Sequence, residues 1–533
     1  MAIMSSNPSS SATKIARSAK SVSAAVFLSR LLGLVREQVL AGLFGAGTSM
    51  DAFVVAFRIP NLLRDLFAEG ALSSAFVTVF TEYQEKKDLE ATHRLVNNVL
   101  TSITIIISII CLLGIYFSKD LVMIMAPEFV QIPGKIQLAT ALTQIMFPFL
   151  LLISISALVM GLLNTRGYFF VPAFASSCFN LGSIIIGGGL ALSIPALGYP
   201  AIYGMAIGTL AGGGLQLLIQ MPCFRREGFR IRPILDLRDP GLLKVGRLII
   251  PAIIGLSATQ INIFVNTNFA SRCAEGSVAW LNYAFRLMQF PIGLFGVALS
   301  VATLPMVAKQ ATQGASKDLG DTLVSALILA FALTLPAATG LWLLAEPIIG
   351  LIFRHGHFTQ FDTLMTAQAL KFYSIGLIAY SAVKIIVPVY YALDDTKWPV
   401  IGSFLTVGAN VVIILFTLES FQHRAIALST SITMIFNFLF LAVILYKKTG
   451  GYPARRLIAA FLKIACASAF MAVAVYFTAI WTYLGEKTAG LLVQVSVSIV
   501  VGIVVYVTGV MIMDLKEAKD ILQALIRLFH KAR

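Results

Sequence analysis

The 533-residue chain is poor in charge, in paired cysteines and in catalytic motifs. Charged residues make up 12% of it, against about 25% of an ordinary soluble domain. Its five cysteines are scattered without a CxxC spacing, so neither a disulfide framework nor a cysteine metal site is indicated. Hydrophobic residues make up 58% of the chain, more than a compact soluble fold can bury. These features exclude a secreted disulfide scaffold, a disordered chain and a cytosolic enzyme.

Enzyme chemistry finds little support in the sequence. His355 and His357 form only a weak metal-binding pair, and Asp394-Asp395 lacks the second acidic motif of a magnesium-diphosphate site. No Ser/His/Asp or Cys/His constellation can be assembled either. We therefore expect no enzymatic activity, no cofactor and no metal site.

Long apolar runs dominate the chain. Fourteen stretches reach the roughly 20 residues that a bilayer-crossing helix requires. Their approximate limits are 22–46, 51–82, 96–117, 137–163, 169–192, 199–221, 242–270, 277–308, 320–345, 364–392, 398–418, 424–446, 457–483 and 488–513. The sequence thus predicts an all-α polytopic membrane protein with fourteen transmembrane helices. Residues 1–21 are expected to form a flexible tail, and residues 514–533 an amphipathic tail on the membrane surface.

Basic residues fall mainly on one side of these spans. If both termini are cytoplasmic, the inner loops and tails hold 26 of the 40 Lys and Arg, and the outer loops hold 6. This count assigns Lys244 and Arg247, at the start of the seventh span, to the inner loop before it, and Arg424, at the start of the twelfth span, to the outer loop before it. This asymmetry follows the positive-inside rule. The inner loop 222–241 is expected to face anionic membrane lipid through Arg225, Arg226, Arg230, Arg232 and Arg238. Because the charge follows topology, nucleic acid is not an expected partner.

Matching residues recur in the two halves of the chain at a nearly constant offset. Phe57-Arg58 and Phe285-Arg286 are 228 residues apart, and further matches recur at 227. Parallel repeats of this kind are typical of transporters whose substrate path lies between two lobes. The repeat predicts two pseudo-symmetric six-helix lobes and an added C-terminal helix pair, at residues 22–221, 242–446 and 447–513.

Charged residues interrupt several predicted spans, where one arginine at mid-bilayer costs about 2.5–3.5 kcal/mol. They include Arg30, Arg36 and Glu37 in the first span, Asp51, Arg58, Arg64, Asp65 and Glu69 in the second, Arg286 in the eighth, and Lys371 and Lys384 in the tenth. Such groups are tolerated where they face one another or water, which predicts a hydrated cationic cavity. Arginine forks suit phosphate, so an anionic substrate with a lipid tail is expected. Alternatively, the pairs Arg36–Glu37 and Arg64–Asp65 only lock helices together, or Arg58 and Arg64 extend to the interface.

The N-terminal motifs resemble those of the MurJ (MviN) family. The matching runs are SRLLGLVRE at 29–37, FGAG at 44–47, DAF at 51–53, IPNLLR at 59–64 and FAEGA at 67–71. Similar runs continue with NTR at 164–166, VPAFA at 171–175 and FGVAL at 295–299. Members of this family are lipid II flippases of the multidrug/oligosaccharidyl-lipid/polysaccharide exporter superfamily.

The resemblance implies alternating-access transport of undecaprenyl-diphosphate-linked peptidoglycan precursor from the inner to the outer leaflet of the bacterial cytoplasmic membrane. It implies that Arg30, Arg36 and Arg286 bind the diphosphate and that Glu37 holds the latter two arginines. Asp51, Arg58 and Arg64 would have supporting or gating roles. It also implies a lipid-tail groove at residues 447–513 and a monomer that acts alone or with cell-wall synthesis proteins.

Two departures from the family leave details open. Phe285 and Asp65 replace residues that are charged differently in some relatives, and the apolar Ile414 near Asn410 argues against the sodium site of some members. The remaining alternatives are another lipid-linked saccharide flippase or a cation-coupled drug exporter of the same superfamily. A polyprenyl-diphosphate enzyme would need paired acidic motifs, and a scaffold would not need interior arginines.

Overall fold

A computed structural model describes residues 8–485 and 487–514, without the side chains of residues 8–21, 23 and 68–71. All regular secondary structure in this part of the chain is helical, in agreement with the predicted fold class. The predicted amphipathic tail falls almost wholly outside the described residues.

Fourteen long helical runs make up most of the fold. They are α1 (Pro8–Phe44), α2 (residues 48–86), α3 (Leu89–Tyr116), α4 (Lys135–Thr165), α5 (Phe170–Leu197), α6 (Ile202–Arg226), α7 (Pro240–Ser271), α8 (Ser277–Thr312), α9 (Ser316–Leu343), α10 (Gln360–Ala392), α11 (Lys397–Phe421), α12 (His423–Lys448), α13 (Ala454–Trp481) and α14 (Thr488–Ile512). Helix α1 begins at Pro8, so residues 8–21 are helical where a flexible tail was expected, and Ala12, Ala16 and Ala19 favour that helix.

Twelve of these helices, α3 to α14, are long and apolar enough to cross a membrane. They match the third to fourteenth predicted spans within a few residues at most ends. Helices α1 and α2, which carry the charged N-terminal motifs, are not among the twelve found in the described residues. The total of fourteen spans therefore stays a prediction.

Internal contacts divide the chain into two compact units, Met1–Glu275 and Gly276–Arg533. The first unit holds α1–α7 and the second α8–α14. The repeat instead places the lobe boundary before α7. In the structure α7 packs along α2, and polar side chains of both helices bond to each other, so α7 belongs to the first unit.

Helix starts follow local sequence rules. Asp88 caps α3 by accepting a hydrogen bond from the backbone nitrogen of Ala91 at 2.7 Å. Asp239 caps α7 in the same way, directly before Pro240 at the first helical position. Thr359 and Asp362 form a reciprocal capping box at α10, and Trp280 of α8 donates to the same Asp362 carboxylate. Asp362 therefore caps the start of α10 and also links α10 to α8 by a hydrogen bond.

Helices α5 and α6 approach closely through glycine. A Cβ on Gly208 would lie 2.3 Å from the Cα of Gly187, and one on Gly204 would lie 2.3 Å from the backbone nitrogen of Ala191. The same crowding recurs at Gly212, where a Cβ would lie 2.5 Å from the carbonyl oxygen of Phe179. The four-residue glycine spacing of α6 therefore serves helix packing.

The second unit is built around α9, α10, α12 and α13. Its core contains Leu327, Ile386, Leu441 and Ile464, all fully buried. The C-terminal pair α13–α14 packs together and is joined to α9, where the Tyr506 hydroxyl donates to the carbonyl of Ala332 at 2.6 Å. The added helix pair is thus an integral part of this unit.

Candidate functional site

Helix α5 holds the charged part of α1. The side-chain amide of Asn180 donates to the carbonyl oxygen of Ser29 at 3.1 Å, and Gly33 lies against the same amide. The Phe179 ring lies 5.4 Å beneath the Arg36 guanidinium. These contacts fix the backbone beside Arg30 and the side chain of Arg36, whereas the Arg30 side chain itself is exposed.

Arg36 and Glu37 form a nearly buried ion pair on α1. The guanidinium nitrogen Nη2 donates to Oε1 of Glu37 at 2.9 Å, and the two side chains are 12% and 4% exposed. Among the described residues, no acceptor faces the buried Nε of Arg36. Because a buried donor without a partner costs free energy, a further acceptor at this Nε would stabilise the guanidinium.

A second ion pair lies at the start of α2. Nζ of Lys135 donates to Oδ2 of Asp51 at 2.8 Å, and each side chain is 2% exposed. Lys135 is the first residue of α4, where the positive end of the helix dipole disfavours a cation. The Phe129 ring lies 4.3 Å from its ammonium group and contributes a favourable cation–π contact. The pair therefore joins the adjacent ends of α2 and α4 through mutually neutralising charges.

Glu275 lies near this pair and ties the connection after α7 to the start of α2. Its carboxylate accepts from the backbone nitrogen of Thr48 at 2.8 Å and from the Thr48 hydroxyl. These hydrogen bonds, led by that of the hydroxyl, lower the pKa of Glu275 below its ordinary value, and Lys135 adds to the effect.

Further along, α2 uses its charged residues to hold α7. Arg58 donates to the hydroxyl of the fully buried Thr267, and Gln260 donates to Asp65 at 3.4 Å. Arg64 forms an ion pair with Asp65 at 2.9 Å. Arg36–Glu37 and Arg64–Asp65 are therefore pairs within single helices, while Arg58 and Asp65 also reach a neighbouring helix.

Two π-helical segments interrupt repeat-related helices. One spans Asp65–Leu72 in α2, and the other spans Ile292–Gly296 in α8, while a third π-helical segment, Ser183–Gly187, lies in α5. Their first residues are 227 positions apart, which is the offset of the sequence repeat. Arg58 and Arg286 precede them by similar distances along their helices. π-Helical turns are rare and frequently lie at functional sites, so both helices carry a local feature of that kind beside an arginine.

Arg286 belongs to the second unit, whereas the other predicted diphosphate ligands, Arg30 and Arg36, belong to the first. Its side chain is exposed on α8, while the preceding Phe285 packs against Tyr373 with ring centroids 5.4 Å apart. Phe285 therefore packs against α10, and this contact explains an apolar side chain beside Arg286.

The weaker sequence candidates have other roles or none. Asp395 pairs with Lys448, whose hydrogen bond lowers the pKa of Asp395, and accepts from the backbone nitrogen of Lys397. The side chains of His355 and His357 are exposed. Within the described residues, no group of three or more His, Cys, Asp or Glu side chains is arranged to hold a metal ion.

Sequence reasoning missed several partners of the charged motif. Lys135 falls in the outer connection between the predicted spans 96–117 and 137–163, and no sequence motif marks Phe179, Asn180, Gln260 or Thr267 as contacts of α1 or α2. Each lies at least 84 positions from the residue it contacts, so helical periodicity could not reveal it. The one available signal was the presence of Asp51 in an apolar run, because a buried carboxylate requires a partner.

Taken together, the fold and the charged helices define a polytopic helical membrane protein of two units with polar side chains inside its spans. The family model "Lipid II flippase MurJ" matches residues 40–496. A "Probable lipid II flippase MurJ" of Buchnera aphidicola subsp. Acyrthosiphon pisum is 38% identical over 428 residues, covering 80% of this chain and 83% of the relative. The chain belongs to the MurJ family of lipid II flippases.

Further matches agree with this assignment. The "Lipid II flippase MurJ" of Burkholderia cenocepacia is 35% identical over 477 residues, which cover 87% of this chain and 91% of the relative. A solved structure named "Lipid II flippase MurJ, inward closed conformation" aligns with a TM-score of 0.77 and 28% identity, covering 92% of this chain and 98% of that one. The family resemblance predicted from the N-terminal motifs is confirmed.

Proposed function

We propose that this protein is a lipid II flippase that moves undecaprenyl-diphosphate-linked peptidoglycan precursor from the inner to the outer leaflet by alternating access. Membership of the MurJ family and the all-helical membrane fold support this function. The observation that carries it at the site is the nearly buried Arg36, which Glu37 orients while its Nε faces no acceptor among the described residues. A diphosphate supplies acceptors of that kind.

In this proposal, Arg30, Arg36 and Arg286 bind the diphosphate in a hydrated cavity. Glu37 holds Arg36 in place and lowers the net charge of the cavity when no substrate is bound. Asp51, Arg58 and Arg64 hold the helices that must move during transport. Binding requires no covalent step, so the protein acts as a transporter and not as an enzyme.

We further propose a bacterial inner-membrane location with both termini cytoplasmic. The basic connection at residues 222–241 and the basic C-terminal segment support that orientation through the positive-inside rule. A membrane potential that is negative inside favours outward movement of the anionic head group by about 2.3 kcal/mol per charge per 100 mV. The protein would act as a monomer, alone or beside cell-wall synthesis proteins.

The C-terminal helix pair is the proposed contact for the polyprenyl tail. Both helices present large apolar side chains outward, including Phe470, Phe477 and Trp481 of α13 and Val500 and Ile503 of α14. An acyl or prenyl chain can lie along such a surface without losing hydrogen bonds. The tail can therefore stay in lipid while the head group crosses.

Replacing Arg36 or Arg286 with Ala tests the site. In cells that depend on this protein, each variant should insert normally yet fail to deliver lipid II to the outer leaflet, because a diphosphate ligand has been removed. An outer-leaflet accessibility assay for the precursor, with membrane abundance measured in parallel, gives the result. Arg424→Ala removes a similar charge from the predicted outer loop and should leave transport unchanged.

Normal growth and normal outer-leaflet lipid II in both variants would refute the assignment of these arginines. Depleting the wild-type protein tests the substrate separately. Lipid II should then accumulate on the cytoplasmic leaflet. Accumulation of a different lipid-linked saccharide would instead indicate another flippase activity.

A further inference from the structure

The connection between α6 and α7 is an ordered segment, although its composition is that of a basic loop. Residues 229–238, here called the basic strap, lie along α3. The backbone nitrogens of Arg232 and Asp236 donate to Asn97 and Asn98 of α3 at 2.8 and 2.9 Å. Asn98 also donates to the carbonyl of Asp236 at 2.8 Å. These bonds fix the strap at one end of the first unit.

Asn97 and Asn98 are themselves well suited to this task. Their side chains are buried, with 5% and 0% exposure, and they direct their amide groups at the strap backbone. Thr101, one turn further along α3, accepts from the backbone nitrogen of Ile234 at 3.2 Å. A row of three polar residues on α3 therefore sets which side chains of the strap point away from the protein.

The most exposed side chains of the strap include three apolar and three basic ones, while its one acid, Asp236, is paired with Arg94 at 3.0 Å. Ile231, Leu235 and Leu237 are 61%, 54% and 64% exposed, although each is a large hydrophobic residue. Arg230, Arg232 and Arg238 lie between and beside them and are also exposed. Water alone would not favour this arrangement, whereas the boundary between lipid head groups and acyl chains matches both kinds of side chain.

A cleft adjoins the strap and has the same mixed character. Its volume is about 470 Å³, and its lining residues are Met221, Phe224, Arg225, Phe229, Arg230 and Ile231. Phe224 and Phe229 are buried and pack together with ring centroids 5.5 Å apart, which gives the cleft a firm apolar floor. Arg225 and Arg230 supply cationic donors at its edge.

We infer that the strap and cleft form a binding surface for an anionic phospholipid. The lipid phosphate lies between Arg225 and Arg230, and Ile231, Leu235 and Leu237 enter the adjoining acyl region. Charge complementarity selects an anionic head group, and the exposed apolar side chains select a lipid over a free phosphate. This surface lies outside the proposed lipid II site and does not depend on transport.

Native mass spectrometry of the full-length protein tests the inference. The purified protein is titrated with phosphatidylglycerol or with phosphatidylcholine, and the retained lipid is counted. The wild type should retain phosphatidylglycerol preferentially. The double variant Arg225→Gln/Arg230→Gln should bind it about tenfold more weakly, because two phosphate contacts have been removed. Both lipids reach every face of the protein in this assay, so the result is independent of the proposed topology.

The matched control is Arg272→Gln/Arg424→Gln, which removes one arginine from the connection after α7 and one from the first turn of α12. It should retain phosphatidylglycerol like the wild type. Equal retention by the strap variant and the wild type would overturn the inference, as would equal retention of the two lipids by the wild type. A protein-docking surface would produce the first of these contrary results.

A second variant distinguishes binding of a whole phospholipid from binding of a free phosphate. Leu235→Ser/Leu237→Ser keeps every arginine and should still weaken phosphatidylglycerol binding several-fold, since apolar contacts contribute to lipid retention. Unchanged binding, or complete displacement of the lipid from the wild type by excess inorganic phosphate, would show a site for free phosphate and contradict the lipid assignment.

Discussion

Lys135 and Asp51 show how a charged residue becomes acceptable inside an apolar chain. Both side chains are almost fully buried, and each is the other's counter-charge at 2.8 Å. Breaking such a pair by removing one partner leaves an uncompensated charge and typically costs about 3–5 kcal/mol. Removing both charges costs far less, because no desolvated charge then remains.

Lys135→Met should therefore destabilise the protein by about 3 kcal/mol, since Asp51 would stay buried without its cation. The double variant Asp51→Asn/Lys135→Met should recover most of that loss. Thermal unfolding of the purified protein in detergent measures both. A single variant that unfolds at the wild-type temperature would show that the pair contributes nothing to stability.

Glu275 gives the protein an acid-sensitive contact at the connection after α7. Its pKa is lowered in the folded protein, chiefly by the hydrogen bond from the Thr48 hydroxyl. A carboxyl with a lowered pKa stabilises the fold fully above its unfolded-state pKa, and the contribution disappears as the pH falls through the folded-state value.

Glu275→Gln should accordingly destabilise the protein at neutral pH, because the amide is a weaker acceptor than the carboxylate. The difference in unfolding temperature between this variant and the wild type should shrink as the pH falls below the ordinary glutamate pKa. Unfolding temperatures measured across this range provide the test. A difference that stays constant with pH would mean that the carboxylate charge has no part in the contact.

The sequence alone could predict some contacts between charged residues and not others. The pairs Arg36–Glu37 and Arg64–Asp65 join neighbours in the chain, so their proximity could be anticipated. The partner of Asp51 could not, because Lys135 is 84 positions away on another helix. Its identity depends on how α2 and α4 pack, which hydropathy does not determine.

Helix limits were far more predictable, because lipid imposes a length and a composition on every spanning helix. Helices α3 to α14 lie where the apolar runs lie. The π-helical segments of α2 and α8 had no comparable signal. An extra residue in one helical turn changes neither the mean hydropathy nor the length of a span, so periodicity alone does not expose it.

The close packing of α5 against α6 can be tested by replacing a glycine at the contact. Gly208→Ala should reduce thermal stability and membrane abundance, because its Cβ would meet backbone atoms of Gly187 at 2.3 and 2.6 Å. A clash with backbone cannot be relieved by rotating a side chain.

Gly214→Ala on the same helix is the matched control, since nothing lies within 4 Å of its Cβ. That variant should be neutral or slightly stabilising, because alanine favours a helix by up to about 1 kcal/mol over glycine. Equal stability of the two variants would contradict the packing role assigned to Gly208.

At the scale of the whole molecule, the boundary between the two sequence repeats and the boundary between the two compact units differ by one helix. The repeat assigns α7 to the second lobe, whereas its contacts with Arg58 and Asp65 of α2 place it in the first unit. A sequence repeat records which helices correspond, while packing records which helices touch. The sequence could therefore predict two halves without predicting which half α7 would join.

The shared position of the π-helical turns in α2 and α8 bears on the history of the chain. A bulge of this kind arises readily from inserting one amino acid into a helix. Two separate insertions at matching sites would be needed if each half had acquired its own. If the two halves arose by duplication, one bulge present beforehand would account for both segments, whereas the π-helical segment Ser183–Gly187 of α5 would need an origin of its own.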